Sequence, residues 1–243
     1  MLPIEKPSQL LIDGCAVLNV GVDDAMVGLF FDFLKELRAW NERFNLTAIT
    51  DERDIVIKHF LDSLALLSRF NIPRSCTVID IGAGAGFPGI PLKIVRPDIR
   101  LTLLESSKKK VGFLRHIITM LGLANAGAIS ERAEDFGQRK ENREYFCLAV
   151  SRAVADFVVL LEYALPMVKV GGRFICYKSR GVYEEVSRAG NALNLLGGRI
   201  EEVTKVVVPF LNADRYFVSV AKVASSPRDY PRRAGIPAKK PLL

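Results

Sequence analysis

The sequence predicts an α/β fold with a seven-stranded, mostly parallel sheet whose last strand runs antiparallel, preceded by an N-terminal helical cap. Three observations predict it. From Thr77 onward, short β-rich runs alternate with helical segments, the pattern of a parallel sheet with helices on both faces. Ahead of that point, residues 23–70 read as wholly helical. Finally, only a short segment around Phe210 to Asp214 separates the last two β-rich runs, too little chain for the crossover that parallel neighbours require.

The elements follow in order. Within Asp24 to Phe44 the apolar set Val27, Phe30, Phe31, Leu34, Leu37, Trp40 and Phe44 recurs at helical spacing, which defines one helix face. Trp40 lies in register with that face and reads as packing, not base stacking. Ile55, Phe60, Leu61, Leu64 and Leu67 repeat the pattern. The β-rich runs are TVIDI, LTLLE, AGAIS, CLAVS, RFICYK, VTKVVVP and RYFVSVAKV. Helices at Ile90 to Val95, Lys108 to Leu121 and Phe157 to Val168 fall between the first five, with another at Tyr183 to Leu196. The chain divides into a helical cap (1–70), a sheet domain (71–224) and a basic, proline-rich irregular arm (225–243).

Composition narrows the class. With 243 residues, 49% of them hydrophobic, the chain can bury one large core with a small satellite. Lysine and arginine number 34 against 27 acids, a net charge of +7. Arg228, Arg232, Arg233, Lys239 and Lys240 crowd the arm beside a single acid, Asp229, which favours a polyanionic partner over a merely solvated tail. The four cysteines form no CxxC pair and there are two histidines, so neither a metal site nor a disulfide framework is expected. The start lacks a basic region followed by an unbroken apolar stretch, and VGLFFDFL is interrupted by Asp32; a soluble, cytoplasmic protein with no membrane partner is expected, in which the sequon Asn45-Leu46-Thr47 carries no glycan. No coiled-coil seam indicates an oligomer.

The segment VIDIGAGAGFPGIP, from Val78 to Pro91, places Gly82, Gly84, Gly86 and Gly89 between the first strand and a helix, at the strand end where open α/β sheets bind ligands. Glycines there let main-chain amides approach a ligand. Two frames overlap. Gly84-x-Gly86-x-x-Gly89 satisfies the dinucleotide fingerprint, with Glu105 at the position of the ribose-binding acid. Asp80-x-Gly82-x-Gly84-x-Gly86 matches the nucleotide loop of S-adenosylmethionine-dependent methyltransferases, and Glu105 ends the second strand in both frames, where it can accept both ribose hydroxyls. The antiparallel finish favours the second frame, the Rossmann-like class I methyltransferase sheet, over a nicotinamide-dependent oxidoreductase.

WNERFNLTAI, HFLDSL, VIDIGAGAGFPGIPLKIVRPD, LLESSKKKVGFLRH, ERAEDF, VSRAV and YPRRAGIPAKKPL together closely resemble the RsmG/GidB group, bacterial methyltransferases that modify a guanine at N7 in 16S ribosomal RNA. The resemblance covers nearly the whole chain. It implies S-adenosylmethionine as cofactor and 16S rRNA or the small ribosomal subunit as partner. It also implies cofactor contacts at Gly82 and Phe87, at Ala133 and Glu134, and at Arg152. The loop carries Phe87 where many relatives have leucine, which keeps an apolar wall. After the third strand, the Ala133 amide can donate to an adenine ring nitrogen and Glu134 can accept from the exocyclic amine. Asp135 competes with Glu134 for that contact, and these acids also read as helix-start charges.

The chemistry is narrowed by what is missing. The [DN]PP[FY] segment that orients exocyclic amines is replaced by Ser151-Arg152-Ala153, and no Pro-Cys dipeptide supplies a nucleophile for pyrimidine C5. Guanine N7 needs neither, since its lone pair carries no proton, and catalysis then reduces to orientation. No catalytic residue is named. Arg152 can serve the methionine carboxylate, a phosphate or the guanine O6, or form a structural ion pair. Lys178, Arg180, Arg115, Arg232 and Arg233 are expected RNA contacts. His59, with Lys58 and Asp62 on the polar side of its helix, reads as a surface histidine that the HFLDS resemblance makes an RNA contact. A non-catalytic RNA-binding protein is the remaining reading.

Overall fold

The structure is a computed structural model that describes residues 6–152 and 154–243. Its cap opens with α1 (Pro7–Val17), which sequence periodicity did not mark. Helix α2 (Asp24–Phe44) starts where the Asp23 carboxylate accepts from the Met26 amide and stops where Asn45 turns left-handed. Its core stripe is Phe30, Phe33, Leu34 and Leu37; Phe33 joins the expected set and Phe44 leaves it for solvent. The helical reading of 23–70 breaks at 45–51. It resumes as α3 (Glu52–Ile55), a π-helical turn (Val56–Leu61), α4 (Asp62–Leu64) and a 3-10 turn (Ala65–Ser68).

Then the sheet begins: β1 (Thr77–Ile81), α5 (Gly89–Val95), β2 (Arg100–Glu105), α6 (Lys108–Met120), β3 (Ala126–Ser130), α7 (Ala133–Gln138), β4 (Phe146–Arg152) and α8 (Phe157–Ala164). After them come β5 (Val168–Lys178), α9 (Val182–Ser187), α10 (Gly190–Leu196), β6 (Gly198–Val206), β7 (Arg215–Lys222) and α11 (Ile236–Lys239). Two helices fall short of expectation. α8 ends before Pro166, which cannot donate to a continuing helix, and the expected helix at 183–196 is two, broken at Arg188 and Ala189.

The strand order is β3-β2-β1-β4-β5-β7-β6, with β7 antiparallel to both neighbours. β7 is antiparallel to β6, as the short final connection requires, and it inserts beside β5. Two apolar clusters cover the faces. One joins α1 and α2 to α5 and α6 across β1 and β2; the other packs α8 and α10 against β4, β5 and β7. The cap therefore shares its core with one face of the sheet instead of owning one, and Phe33 contacts both Phe60 of the cap and Phe87 of the glycine loop.

The arm is anchored, not loose. Arg232 gives its amide and guanidinium to Glu162 of α8, a carboxylate 1% exposed, and Arg143 donates to the Ser226 and Pro227 carbonyls. Gly235 donates to Glu134. Arg232→Ala strands a buried carboxylate, and an unfolding titration in urea is expected to show a loss of about 3 kcal/mol. An unchanged midpoint would mean that the pair contributes nothing.

Candidate active site

β1 delivers the chain to the glycine loop at the carboxyl end of the sheet. Asp80, the last but one residue of β1, is fully buried beneath the loop, and its Oδ2 accepts from the Gly89 amide at 2.8 Å. A Cβ at Gly89 would stand 2.8 Å from that same oxygen, so only glycine lets the start of α5 come this close. Oδ1 has no partner among the described residues, and burial raises the Asp80 pKa to about 7.

Glu105 at the end of β2 braces the loop. Its Oε2 accepts from the Gly84 amide at 3.0 Å and its Oε1 from the Ser107 amide at 2.8 Å. Oε1 also accepts a long bond from the Ser106 hydroxyl at 3.4 Å, and Oε2 keeps a lone pair for a further donor. Gly84 has φ +57°, and a Cβ there would project into open space at the cleft. That cleft, about 470 Å³ in volume, brings together Gly82, Gly84, Phe87, Glu105, Ala133, Glu134 and Arg152 from four separate segments. These features fit S-adenosylmethionine: a wall of bare backbone, a diol acceptor and, at the first turn of α7, amides without helical partners.

The cap supplies the opposite wall through Leu46, Thr47 and His59. His59 lies in the π-helical turn and stacks on Phe87, the ring centroids 4.3 Å apart at 14°. Arg152, the last residue of β4, reaches across with NH1 2.8 Å from Asp62 Oδ2 and NH2 3.0 Å from His59 Nδ1. Its Cζ lies 5.2 Å from the Phe87 centroid. Asp62 accepts a second arginine, Arg215 of β7, through Oδ1 at 3.0 Å.

A family model described as rRNA small subunit methyltransferase G matches residues 27–214. The chain belongs to this family. A protein from Desulforamulus reducens named ribosomal RNA small subunit methyltransferase G is 49% identical over 213 residues, 88% of this chain and 89% of its own length. One of the same name from Alkaliphilus metalliredigens is 43% identical over 237 residues, 98% and 99% of the two chains. Among solved structures, a SAM dependent methyltransferase from Aquifex aeolicus superposes with a TM-score of 0.53 at 17% identity, covering 78% of this chain and 98% of that one. TrmN from Thermus thermophilus gives 0.51 at 15%, covering 66% and 48%. These structures share the fold. Among the described residues no helix is long and apolar enough to cross a membrane, and no cluster of side chains suits a metal.

In this methyltransferase G family member several sequence expectations need correction. His59 is no surface histidine: burial first, then the neighbouring Arg152 charge, pushes its pKa down to about 3, so the ring is neutral. Asp62, assigned to the same polar helix side, is 3% exposed, because that side faces the sheet. Lys178 donates to the Ala155 carbonyl and to Glu185, and Arg232 donates to Glu162 and the Lys240 carbonyl, so both already hold the protein together. Arg180 and Arg233 are exposed; Arg115 is exposed too, although its Nε donates to the Ala128 carbonyl. Glu134 lines the cleft as expected, but its Oε1 already accepts from Gly235, which brings the arm to the cleft wall. Trp40 packs against Phe44, Phe113 and His116, in line with its helix register. Thr47, Asp62 and Arg215 were absent from the expected site. The available signals are the NLT run, which the sequence presents as a sequon, and the HFLDS run, which points to His59 alone.

The two perturbed groups oppose each other in pH. His59 binds a proton only in the unfolded chain between about pH 3 and 6.5, so its contribution to stability is full above 6.5 and lost as pH falls. Asp80 binds a proton only in the folded chain between 3.8 and about 7, so its contribution is full below 3.8 and lost as pH rises. Across their shared window the two slopes cancel. Asp80→Asn is expected to uncover the His59 slope: urea titrations should show stability falling more steeply from pH 6.5 to 4.5 than in the parent, and parallel curves would refute the pairing.

Proposed function

We propose that this chain transfers a methyl group from S-adenosylmethionine to N7 of a guanine in 16S ribosomal RNA, by in-line displacement and without a general base. When bound, that cofactor supplies a methyl group activated by a positively charged sulfur. Glu105 would hold its ribose hydroxyls, the Gly82 to Gly84 backbone its neighbouring atoms, and the Ala133 amide its adenine edge.

One observation carries the reading: the histidine and the carboxylates lining the cleft are each held by a partner within the protein. His59 uses both ring nitrogens, on Arg152 and Thr47, and Glu105 uses both oxygens on backbone amides. Glu131 is paired with Arg139, Glu134 with Gly235, and burial holds the Tyr163 phenol up at about 12. None of them stands as a dedicated base: the histidine has no free nitrogen, and each carboxylate is tied to a donor of the protein. Guanine N7 has no proton to lose, and the walls need only align it. Lys110 and Arg132 at the cleft, with Arg180 and Arg233 on the surface, supply cations for phosphates.

The strand order argues against a dinucleotide-dependent oxidoreductase, whose sheet runs 3-2-1-4-5-6 with no inserted antiparallel strand. Small-subunit RNA from cells lacking the gene, incubated with the protein and labelled cofactor, tests the proposal. Strand scission at a single N7-methylguanine is expected; label on adenine or cytosine would overturn the target, and no transfer at all would leave only a binding protein.

A further inference from the structure

The loop 45–51 enters the cleft with a hydroxyl whose hydrogen-bonding role is decided by its neighbours. Asn41 Oδ1 accepts from the Thr47 amide at 2.8 Å and so pins the loop to α2. Thr47 Oγ1 accepts from the Ile49 amide at 3.1 Å and lies 2.9 Å from His59 Nε2. On the other side of the ring, His59 Nδ1 faces the Arg152 guanidinium at 3.0 Å. A guanidinium only donates, so Nδ1 is the acceptor and the single ring proton sits on Nε2. His59 therefore donates to Thr47. Asp62 holds Arg152 in place at 2.8 Å, so the tautomer is set from the sheet side.

The consequence falls on the hydroxyl. A threonine oxygen has two lone pairs and one proton. Both lone pairs are taken, by Ile49 and His59, and the described residues offer the proton no acceptor. A side chain that ordinarily either gives or takes becomes a donor alone, on the wall of the cleft that also holds Phe87 and Gly84.

We propose that Thr47 donates this proton to O6 of the substrate guanine and thereby selects guanine over adenine, with His59 and Arg152 as the positioning residues that keep it a donor. The inference rests on the guanine-N7 reading above. An enzyme that acts at N7 must face the edge of the purine that carries N7. Beside N7, guanine shows the O6 acceptor and adenine the N6 amine, a donor. A hydroxyl without a spare lone pair satisfies the first and meets the second donor to donor. Arg152, the other candidate for O6, has both NH1 protons on Lys58 and Asp62 and one NH2 proton on His59, which fixes its guanidinium against the cap.

The test removes each partner of the bond separately. Ligated 16S RNA carrying guanine or 2-aminopurine at the target position is offered to the parent protein and to Thr47→Val and Thr47→Ser. 2-Aminopurine keeps N7 and lacks O6. The parent is expected to methylate guanine about a hundredfold faster in kcat/KM than 2-aminopurine. Thr47→Val should slow the guanine substrate far more than the 2-aminopurine substrate, so that the two rates converge, and Thr47→Ser should restore discrimination. Affinity for S-adenosylhomocysteine, read by calorimetry, should not move in either variant. A parent indifferent to O6 would overturn the role of Thr47 whether or not Thr47→Val folds, and so would equal losses on both substrates in a Thr47→Val protein that still binds S-adenosylhomocysteine as the parent does. A methyl group mapped to an atom other than N7 in the parent would overturn the underlying reading instead, and the two failures are told apart by where the label lies.

Discussion

Asp62→Ala is expected to lower the unfolding free energy by about 3–5 kcal/mol and to abolish methyl transfer, the largest effect of any single change at the cleft. The carboxylate side chain is 5% exposed and lies between two guanidiniums, Arg152 and Arg215, whose side chains are 14% and 26% exposed. Removing it leaves two like charges facing each other in a poorly hydrated place, with no anion to offset their desolvation. It also frees Arg152 from the line that runs through His59 to Thr47, so the damage reaches the acceptor side of the cleft. Urea titration reads the first effect and a transfer assay on intact variant at low temperature reads the second. A variant within about 1 kcal/mol of the parent would mean that water penetrates the junction and that the charges are not buried in solution.

Glu105→Ala is expected to weaken S-adenosylhomocysteine binding by roughly a hundredfold or more, at about 1.5–3 kcal/mol for each charge-assisted bond lost. The carboxylate acts twice. It would receive the ribose hydroxyls, and it already fixes the amides of Gly84 and Ser107 from either side of the cleft. Without it the amide of Gly84 has no acceptor, and the loop is left with only the Gly82 and Ala83 amides on the Leu104 carbonyl of β2. Calorimetric titration against S-adenosylhomocysteine, with NAD as the comparison ligand, measures the change. An unaltered affinity would show that the sugar is held elsewhere, and heat from NAD in the parent protein would challenge the cofactor assignment itself.

Much of the cofactor half was legible along the chain, because its parts are local. Strand, glycine loop and helix follow one another within Val78 to Pro91, and Glu105 ends the neighbouring strand. The reversal of the last strand was readable from connection length, since a short link cannot carry a parallel crossover. α1 was harder to see because its buried residues, Leu10, Leu11, Gly14 and Cys15, form a narrow stripe that includes a glycine.

The acceptor half was misread for a different reason. His59, Lys58 and Asp62 look like a polar helix side until the π-helical turn and the packing of the cap direct them toward the sheet. Their partners lie far along the chain: Thr47 is 12 residues from His59, Arg152 is 93, and Arg215 is 153 from Asp62. The arm was read as a cationic tail, whereas Glu162 and Glu134, both buried, hold it to the sheet domain.

By itself, then, the sequence determined the sheet, its reversed last strand and the loop with its carboxylate, because those depend on periodicity and on bonds between residues close in the chain or paired by strand register. Only the tertiary structure decided which charges are interior, which histidine nitrogen carries the proton, and which way the Thr47 hydroxyl can donate. Those properties belong to contacts between distant segments, where burial removes water and leaves each polar atom with a single set of neighbours.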